Sequence, residues 1–332
     1  QTTYGYDALN RLTSVTLPLV GAPAVTAMTY DAVGNLKTVT DALGRVTEYA
    51  YDGAGRRTLE IDPLLGETKT EYDLAGNITA SVDALGRRTE YVYDVLNRLG
   101  ETRAPNPTTA GGPAVTTART YDAAGNLETL TDPLGRLTAY TYDKLNRLET
   151  TTDALLGVST IEYDAAGNRK ATIDELGRRT TYTYDELNRL AAVVQPEVDG
   201  PSGRVSPVTG YGYDDVGNRT KVVDARQFET LYAYDELNRL TTTTDATGRT
   251  TTLGYDAVGN IVSSTDQLGR VTNYEYDAQN RLAKVVRPAA GAGTPPTTVV
   301  YGYDRVGNRT STVDELGRTS SIAYDALDRP TS

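Results

Sequence analysis

The sequence contains no cysteine, no histidine and no tryptophan, and only one phenylalanine and one methionine among its 332 residues. Without Cys or His it can form no disulfide, no zinc site of the common ligand types, no thiol nucleophile and no triad with an imidazole base. The absence of Cys leaves the redox compartment open but removes any dependence on it. No apolar run approaches the ~18 residues of a spanning helix. Apolar residues are scarce too, at 38% even when 24 tyrosines are counted among them, which argues against a thick two-layer core. Positive charge is in deficit: 33 Lys and Arg stand against 44 Asp and Glu, a net charge of −11. With an isoelectric point near 4.7, phosphate backbones and anionic membrane faces are repelled, so neither nucleic acid nor membrane insertion is expected. The chain opens on Gln1-Thr2-Thr3-Tyr4 and stops at Ser332 in mid-pattern, as a fragment of a longer chain would.

What is present is a repeat. The dipeptide Tyr-Asp occurs fifteen times, from Tyr6-Asp7 to Tyr324-Asp325, usually 21 residues apart. Between successive copies lies a second phrase such as Asp41-Ala-Leu-Gly-Arg45 or Asp132-Pro-Leu-Gly-Arg136. Each Asp opens a phrase of the form Asp-x-x-(Gly/Asn)-(Asn/Arg). Asp bonds its own backbone two residues on, and Gly or Asn accepts a positive φ, so every phrase reads as a turn. The five or six intervening residues are rich in Thr, Val and Tyr, which is strand length and strand composition. Each unit is therefore two strands and two turns.

Period two places Arg136, Thr138, Tyr140 and Tyr142 on one face of their strand, and the same set recurs at Arg178, Thr180, Tyr182 and Tyr184. The opposite face varies freely from copy to copy, which suggests Tyr and Thr pairs holding one face and solvent on the other. Turn phrases alternate Gly-Asn with Asn-Arg, broken at Gly55-Arg56 and Asp328-Arg329. At every fourth unit the middle turn becomes a longer Pro/Gly-rich loop, near 17–23, 104–114, 195–207 and 287–296. The steps Asp31 to Asp122, Asp122 to Asp214 and Asp214 to Asp304 are 91, 92 and 90 residues, a four-unit superperiod. Residues 1–332 thus read as one repeat array of about fifteen units, with strands in phase after each loop.

About 30 strands at ~4.8 Å would make a ribbon roughly 140 Å long, and a sheet of that width must curl. The fold class expected is all-β: a continuous ribbon of antiparallel hairpins spiralling into a hollow barrel, shell or tube. The residues expected to carry it, in a structural role, are Tyr30, Asp31, Gly34 and Asn35; Asp41, Gly44 and Arg45; Tyr121, Asp122, Gly125 and Asn126; Tyr140, Tyr142, Asp143, Asn146 and Arg147; and Tyr184, Asp185, Asn188 and Arg189.

Phrases such as Tyr121-Asp-Ala-Ala-Gly-Asn126 and Tyr184-Asp-Glu-Leu-Asn-Arg189, with Leu-Gly-Arg at 176–178 between them, resemble the rearrangement-hotspot (RHS) or tyrosine-aspartate (YD) repeats. The resemblance covers essentially the whole chain. It implies a strip of β-hairpins spiralling into a hollow shell, as in bacterial polymorphic toxins and insecticidal toxin complexes, whose shells enclose a toxic C-terminal segment. Bacterial wall-associated proteins and the animal teneurins belong to the same family. The self-cleaving region that ends family shells has no counterpart here, and the unusual regularity of the repeats favours a long uniform array.

Chemistry has little to stand on. A calcium cage needs six to eight converging oxygens, whereas each phrase offers one Asp followed by small or apolar residues, as an Asx turn does. Carboxylate pairs at glycosidase spacing arise by construction in a hairpin array, and none departs from the repeat. Arg after Gly or Asn is expected to pair with acids of adjacent units rather than form a ligand-binding ladder. Tyr stripes could stack on sugars but suit a structural ladder better. Asp224-Ala-Arg-Gln-Phe-Glu229, with the lone Phe228, and the four long loops are the main breaks in the pattern. No enzyme, metal or cofactor is expected. The leading expectation is the non-catalytic wall of a secreted or cell-surface tube, filament or shell, its partners being flanking repeats of the same chain or further copies of itself. The runner-up is a cocoon around an enclosed toxin segment, and the third reading is adhesion through the long loops.

Overall fold

The computed structural model describes residues 2–19, 22–108, 112–200, 203–289, 291 and 294–331. The tips of the four long loops, at 20–21, 109–111, 201–202, 290 and 292–293, lie outside the described residues. Among the described residues there is no helix, and 29 strands form one antiparallel sheet. Successive strands pair in chain order, as in Leu127–Thr131 with Leu137–Tyr142 and the latter with Leu148–Thr152. Two further short strands, Val198–Gly200 and Gly203–Val205, pair with each other inside the third long loop.

The turns sort onto the two long edges of the ribbon, with Tyr-Asp turns on one and the Leu-Gly-Arg type on the other. Their registers differ. In the Tyr-Asp hairpins from Tyr6 to Tyr303 the pairing slips just before the Tyr: Thr141 faces Thr150, but Tyr142 faces Leu148, which leaves Glu149 as a bulge. The same slip occurs at Tyr30 and Tyr184. On the other edge Thr131 faces Leu137 with no slip. One bulge per unit, always on the same edge, adds local twist in one sense. The ribbon accordingly winds until it meets itself: the Arg45 guanidinium reaches the Asp325 carbonyl at 3.1 Å, 280 residues along the chain.

There is no conventional core. Among the described residues the buried apolar side chains are Ala24, Ala80, Ala171, Val193, Val285 and Val299, with no larger side chain fully enclosed. The strand Val46–Tyr51 shows the rule: Val46, Glu48 and Ala50 are exposed, while Thr47, Tyr49 and Tyr51 are half-buried. The tolerant face, however, is not left wholly to solvent. Ala80 and Ala171 are 0% exposed, and each lies on the middle strand of three whose outer two are bridged across it. Arg88 holds Glu71 through two contacts of 2.6 and 2.8 Å, and Arg179 holds Glu162 through two of 2.6 Å. Outer strands stand ~10 Å apart, so long side chains can join them only over a small one.

Candidate functional site

Each turn is a compact carboxylate-centred unit. In the phrase from Asp143 to Arg147, the Asp143 amide donates to the Arg147 carbonyl at 2.9 Å and the Asn146 amide to the Asp143 carbonyl at 3.0 Å. Asp143 Oδ1 accepts the amides of Leu145 and Arg147 at 2.8 and 3.0 Å, and its Oδ2 accepts Arg147 Nε at 2.7 Å. Asn146 supplies the left-handed residue at φ 58°. Asp185, Asn188 and Arg189 repeat this arrangement, with Asn188 at φ 60°. In the Gly-Asn phrases, Gly125 takes the left-handed position at φ 93°, and Asn126 Nδ2 donates to Asp122 Oδ2 at 2.9 Å. Asn35 and Asp31 pair identically, with Gly34 between them. On the opposite edge Asp41, Gly44 and Arg45 build the same turn.

Most turn arginines therefore bind the Asp of their own turn rather than acids of adjacent units as the sequence suggested; Arg45 holds its own Asp41 and also reaches Asp328 of another turn. The reason is local: residues i and i+4 of the phrase face each other across the hairpin end, closer than any neighbouring unit. The carboxylates respond to this. Hydrogen bonding by Arg147 holds Asp143 below the usual Asp range, as Asn126 does for Asp122. For Asp185 the largest cause is the Arg189 backbone amide.

Neighbouring Tyr-Asp turns are joined by two contacts in alternation, and this explains the alternating phrases. From an Asn-Arg turn, the Arg reaches forward onto the next Tyr: Arg147 lies 4.2 Å from the Tyr163 ring centre and Arg189 4.8 Å from that of Tyr213. Arg189 Nη1 also donates to the Asp214 carbonyl at 2.8 Å. From a Gly-Asn turn, the Asn reaches forward instead: Asn126 Nδ2 donates to Asn146 Oδ1 at 3.1 Å and Asn168 Nδ2 to Asn188 Oδ1 at 2.8 Å.

The Tyr hydroxyl adds a third link. Tyr142 donates to the Leu127 carbonyl at 2.9 Å and Tyr184 to the Arg169 carbonyl at 3.0 Å, both at the start of the preceding strand. Tyr30 and Tyr121 donate to Leu12 and Leu99 in the same way at 2.8 and 2.9 Å, although long loops separate those partners. The ladder thus continues unbroken past each insertion. Tyr140, two residues before Tyr142, faces Thr151 across the next strand. In a later copy Tyr274 OH lies 3.1 Å from Ser264 Oγ.

A seam forms where the ribbon returns. Arg45 Nη1 and Nη2 each lie 3.0 Å from Asp328 Oδ1, while Nε keeps its own Asp41. Asn308 Nδ2 donates to the same Asp328 oxygen, and Gln279 Nε2 donates to the Pro18 carbonyl. Gln279 and Asp328 stand where other Asn-Arg turns have Leu and Asn, respectively, as in Leu145 and Asn146. Sequence reasoning noted Asp328 as irregular and passed over Gln279; their departure from the repeat was the available signal.

Convergent chemistry is not seen. Among the described residues no group of three or more His, Cys, Asp or Glu could hold a metal ion. A depression of about 770 Å3 lies between the Asp83 turn and the second long loop, lined by Arg87, Arg88, Thr89 and Asn106. Its arginines are engaged with Asp83, Glu71 and Glu90. Phe228 occupies the place of a turn Arg and packs against Arg226 at 5.0 Å, within an otherwise regular turn.

A single-layer ribbon of hairpins, stitched along its turns and wound against itself, defines a repeat-built β-wall. The family described as RHS Repeat matches residues 30–64, 72–109, 121–155, 163–197, 213–250, 234–266 and 255–292. The chain belongs to this family. Its fold is similar to that of TcdB2-TccC3 solved with Cdc42, at 15% identity and a TM-score of 0.80 over 98% of this chain and 20% of that one. It is equally similar to TcdB2-TccC3 without its hypervariable C-terminal region, at 16% identity and a TM-score of 0.81 over 99% and 20%. The chain spans about a fifth of the length of those structures. No curated protein matches it in sequence.

Proposed function

We propose that this chain is a non-catalytic wall segment: a length of β-shell from a secreted or cell-surface protein that forms the side of a tube, filament or shell. The observation that carries this reading is the seam between Arg45 and the turn of Asp325 and Asp328. A ribbon whose two edges recognise each other encloses space by winding, and its work is mechanical. Its strands pair in unbroken succession, so local opening at one unit is opposed by both neighbours. The regularity of the turns among the described residues, which repeat one carboxylate-centred geometry, suits a structural role.

A second reading draws on the likeness to TcdB2-TccC3: the wall serves as a cocoon around a C-terminal toxin segment. Electron cryo-microscopy of the native material separates the two. An open-ended polymer with empty walls sustains the tube or filament and sinks the cocoon. A closed particle with disordered density inside does the reverse. A particle with no continuous wall would overturn both.

A further inference from the structure

Five strands paired in succession, Arg169–Ile173, Arg179–Tyr184, Leu190–Val194, Val208–Tyr213 and Arg219–Val223, carry Arg169, Lys170, Arg179, Arg219 and Lys221 but no Asp or Glu. Such a basic belt is unexpected in a chain of net charge −11. On the tolerant face Arg179 and Lys221 are neutralised by Glu162 and Glu229 of the two flanking strands. On the Tyr face the arginines are not. The Arg169 guanidinium lies 4.6 Å from the Tyr182 ring centre, and that of Arg219 lies 5.9 and 5.5 Å from the ring centres of Tyr211 and Tyr232. Among the described residues neither guanidinium has a hydrogen bond or ion pair, and the hydroxyls of Tyr211 and Tyr232 have no hydrogen bond either. An earlier copy of the same arrangement is occupied. Arg57 lies 5.5 Å from the Tyr49 ring centre, Glu60 faces Tyr49 across the hairpin, and Glu60 Oε2 lies 2.8 Å from Arg57 Nη1. Burial, and then the Glu60 carboxylate, raise the Tyr49 phenol. In the register of Tyr211 and Arg219 the place of Glu60 is taken by Val222, so the guanidinium and phenol face no carboxylate there.

We propose that Arg219, flanked by Tyr211 and Tyr232, receives the carboxylate of a glutamate side chain on an acidic peptide segment lying across this face, and that Arg169 receives a second glutamate of the same segment. The inference adds a ligand to the wall and does not depend on the wall reading. The site lies on the face of the sheet, away from the turn edges that meet at the seam. Its chemistry follows from the occupied copy: a guanidinium beside a phenol ring holds a glutamate carboxylate by charge-assisted hydrogen bonds, and the ring keeps water from one side of the cation. The lining also favours a glutamate stem. Val222 is half-buried at the site, and Val193, which faces Tyr182 from the next strand, is buried; methylene groups pack against such side chains and sugar hydroxyls do not. The spacing calls for a chain rather than a small acid. Arg169 and Arg219 each open their strand beside a Tyr-Asp turn and stand four strand spacings apart, ~19 Å, which an extended segment covers with glutamates about six residues apart.

The test is fluorescence anisotropy of a labelled nonapeptide, with glutamate at its second and eighth positions and serine elsewhere, titrated with the full chain up to ~1 mM. Saturable binding is expected, and it is expected to vanish when both glutamates of the peptide are replaced by glutamine. Arg219→Leu and Val222→Glu are each expected to weaken binding by about tenfold or more, the first by removing the receptor and the second by filling it from within the chain. Both variants keep the fold on internal precedent: Leu148 and Leu240 hold the register position of Arg219, and Glu60 that of Val222. Circular dichroism checks this. Arg57→Leu, whose guanidinium already has its carboxylate, is expected to leave binding unchanged. No saturable binding, equal binding of the glutamine peptide, or binding that Arg219→Leu and Val222→Glu both leave untouched overturns the inference. An Arg169→Leu chain that binds as tightly as the wild type overturns the second receptor. None of these outcomes bears on the wall reading, which microscopy of the native material tests separately.

Discussion

A left-handed residue suits Gly or Asn, yet Leu65 and Leu156 occupy that position at φ 65° and 66°. Both lie in phrases where the glycine comes one place late, Asp62-Pro-Leu-Leu-Gly66 and Asp153-Ala-Leu-Leu-Gly157. The turn counts from its Asp, and the fourth residue takes the strained conformation whatever it is. The late glycine has its own reason. A Cβ on Gly66 would stand 2.5 Å from Asp62 Oδ2 and 2.9 Å from the Ala84 side chain. A left-handed side-chain residue costs ~1 kcal/mol or more. Leu65→Gly is therefore expected to stabilise the array by about 1 kcal/mol, and Gly66→Ala to destabilise it. Urea denaturation followed by circular dichroism checks both, the first moving the midpoint up and the second moving it down. A lowered midpoint for Leu65→Gly would show that the exposed leucine contributes more than its backbone strain costs.

At the scale of the hairpin, strand composition and turn phrases were enough to place the elements: the stretch between the Asp31 and Asp41 phrases is the strand Leu36–Thr40. Three features were not legible. The bulge before each Tyr leaves no mark in composition, because any residue can be the one that is skipped. The Arg-to-own-Asp clamp depends on which residues face each other at a hairpin end, and that follows from turn type. The Tyr hydroxyl bond joins residues 15 apart in ordinary units and 22 apart at Tyr121, so no fixed spacing reveals it. That bond yields an internally controlled prediction. Tyr142→Phe removes the donor to the Leu127 carbonyl and is expected to cost ~1 kcal/mol. Tyr6 is 60% exposed and makes no such bond among the described residues, so Tyr6→Phe is expected to leave the urea midpoint where it is. Equal effects from the two would mean that the hydroxyl contributes through hydration of the Tyr face and not through the ladder.

For the whole molecule, strand number alone required the ribbon to curl, but nothing in one repeat says where the curl returns. That depends on the twist summed over many hairpins, and only Gln279 and Asp328 mark the place. The same summation governs the response to acid. Turn carboxylates such as Asp52, Asp143, Asp185 and Asp235 lie below their ordinary value of 3.8, held there chiefly by hydrogen bonds from the Arg at the end of each turn. Asp328 at the seam is lowered as well, first by Asn308 and then by Arg45. A depressed folded-state value means that the stabilisation is fully present above the unfolded value and is lost as pH falls through the folded one. Stability should therefore be flat from neutrality to about pH 4 and then fall, since the turns whose carboxylates are lowered lose their clamps as pH drops through the folded-state values. The opposing effect is relief of self-repulsion in a chain of net charge −11 as carboxylates protonate. It is long-ranged and screened by salt, whereas the turn clamps act at contact distance. Thermal melts by circular dichroism from about pH 2 to pH 7, at low and high salt, decide between them. A fall below pH 4 that survives high salt supports the turn clamps as the source, and a rise in melting temperature on acidification that salt abolishes would assign the pH dependence to the net charge instead.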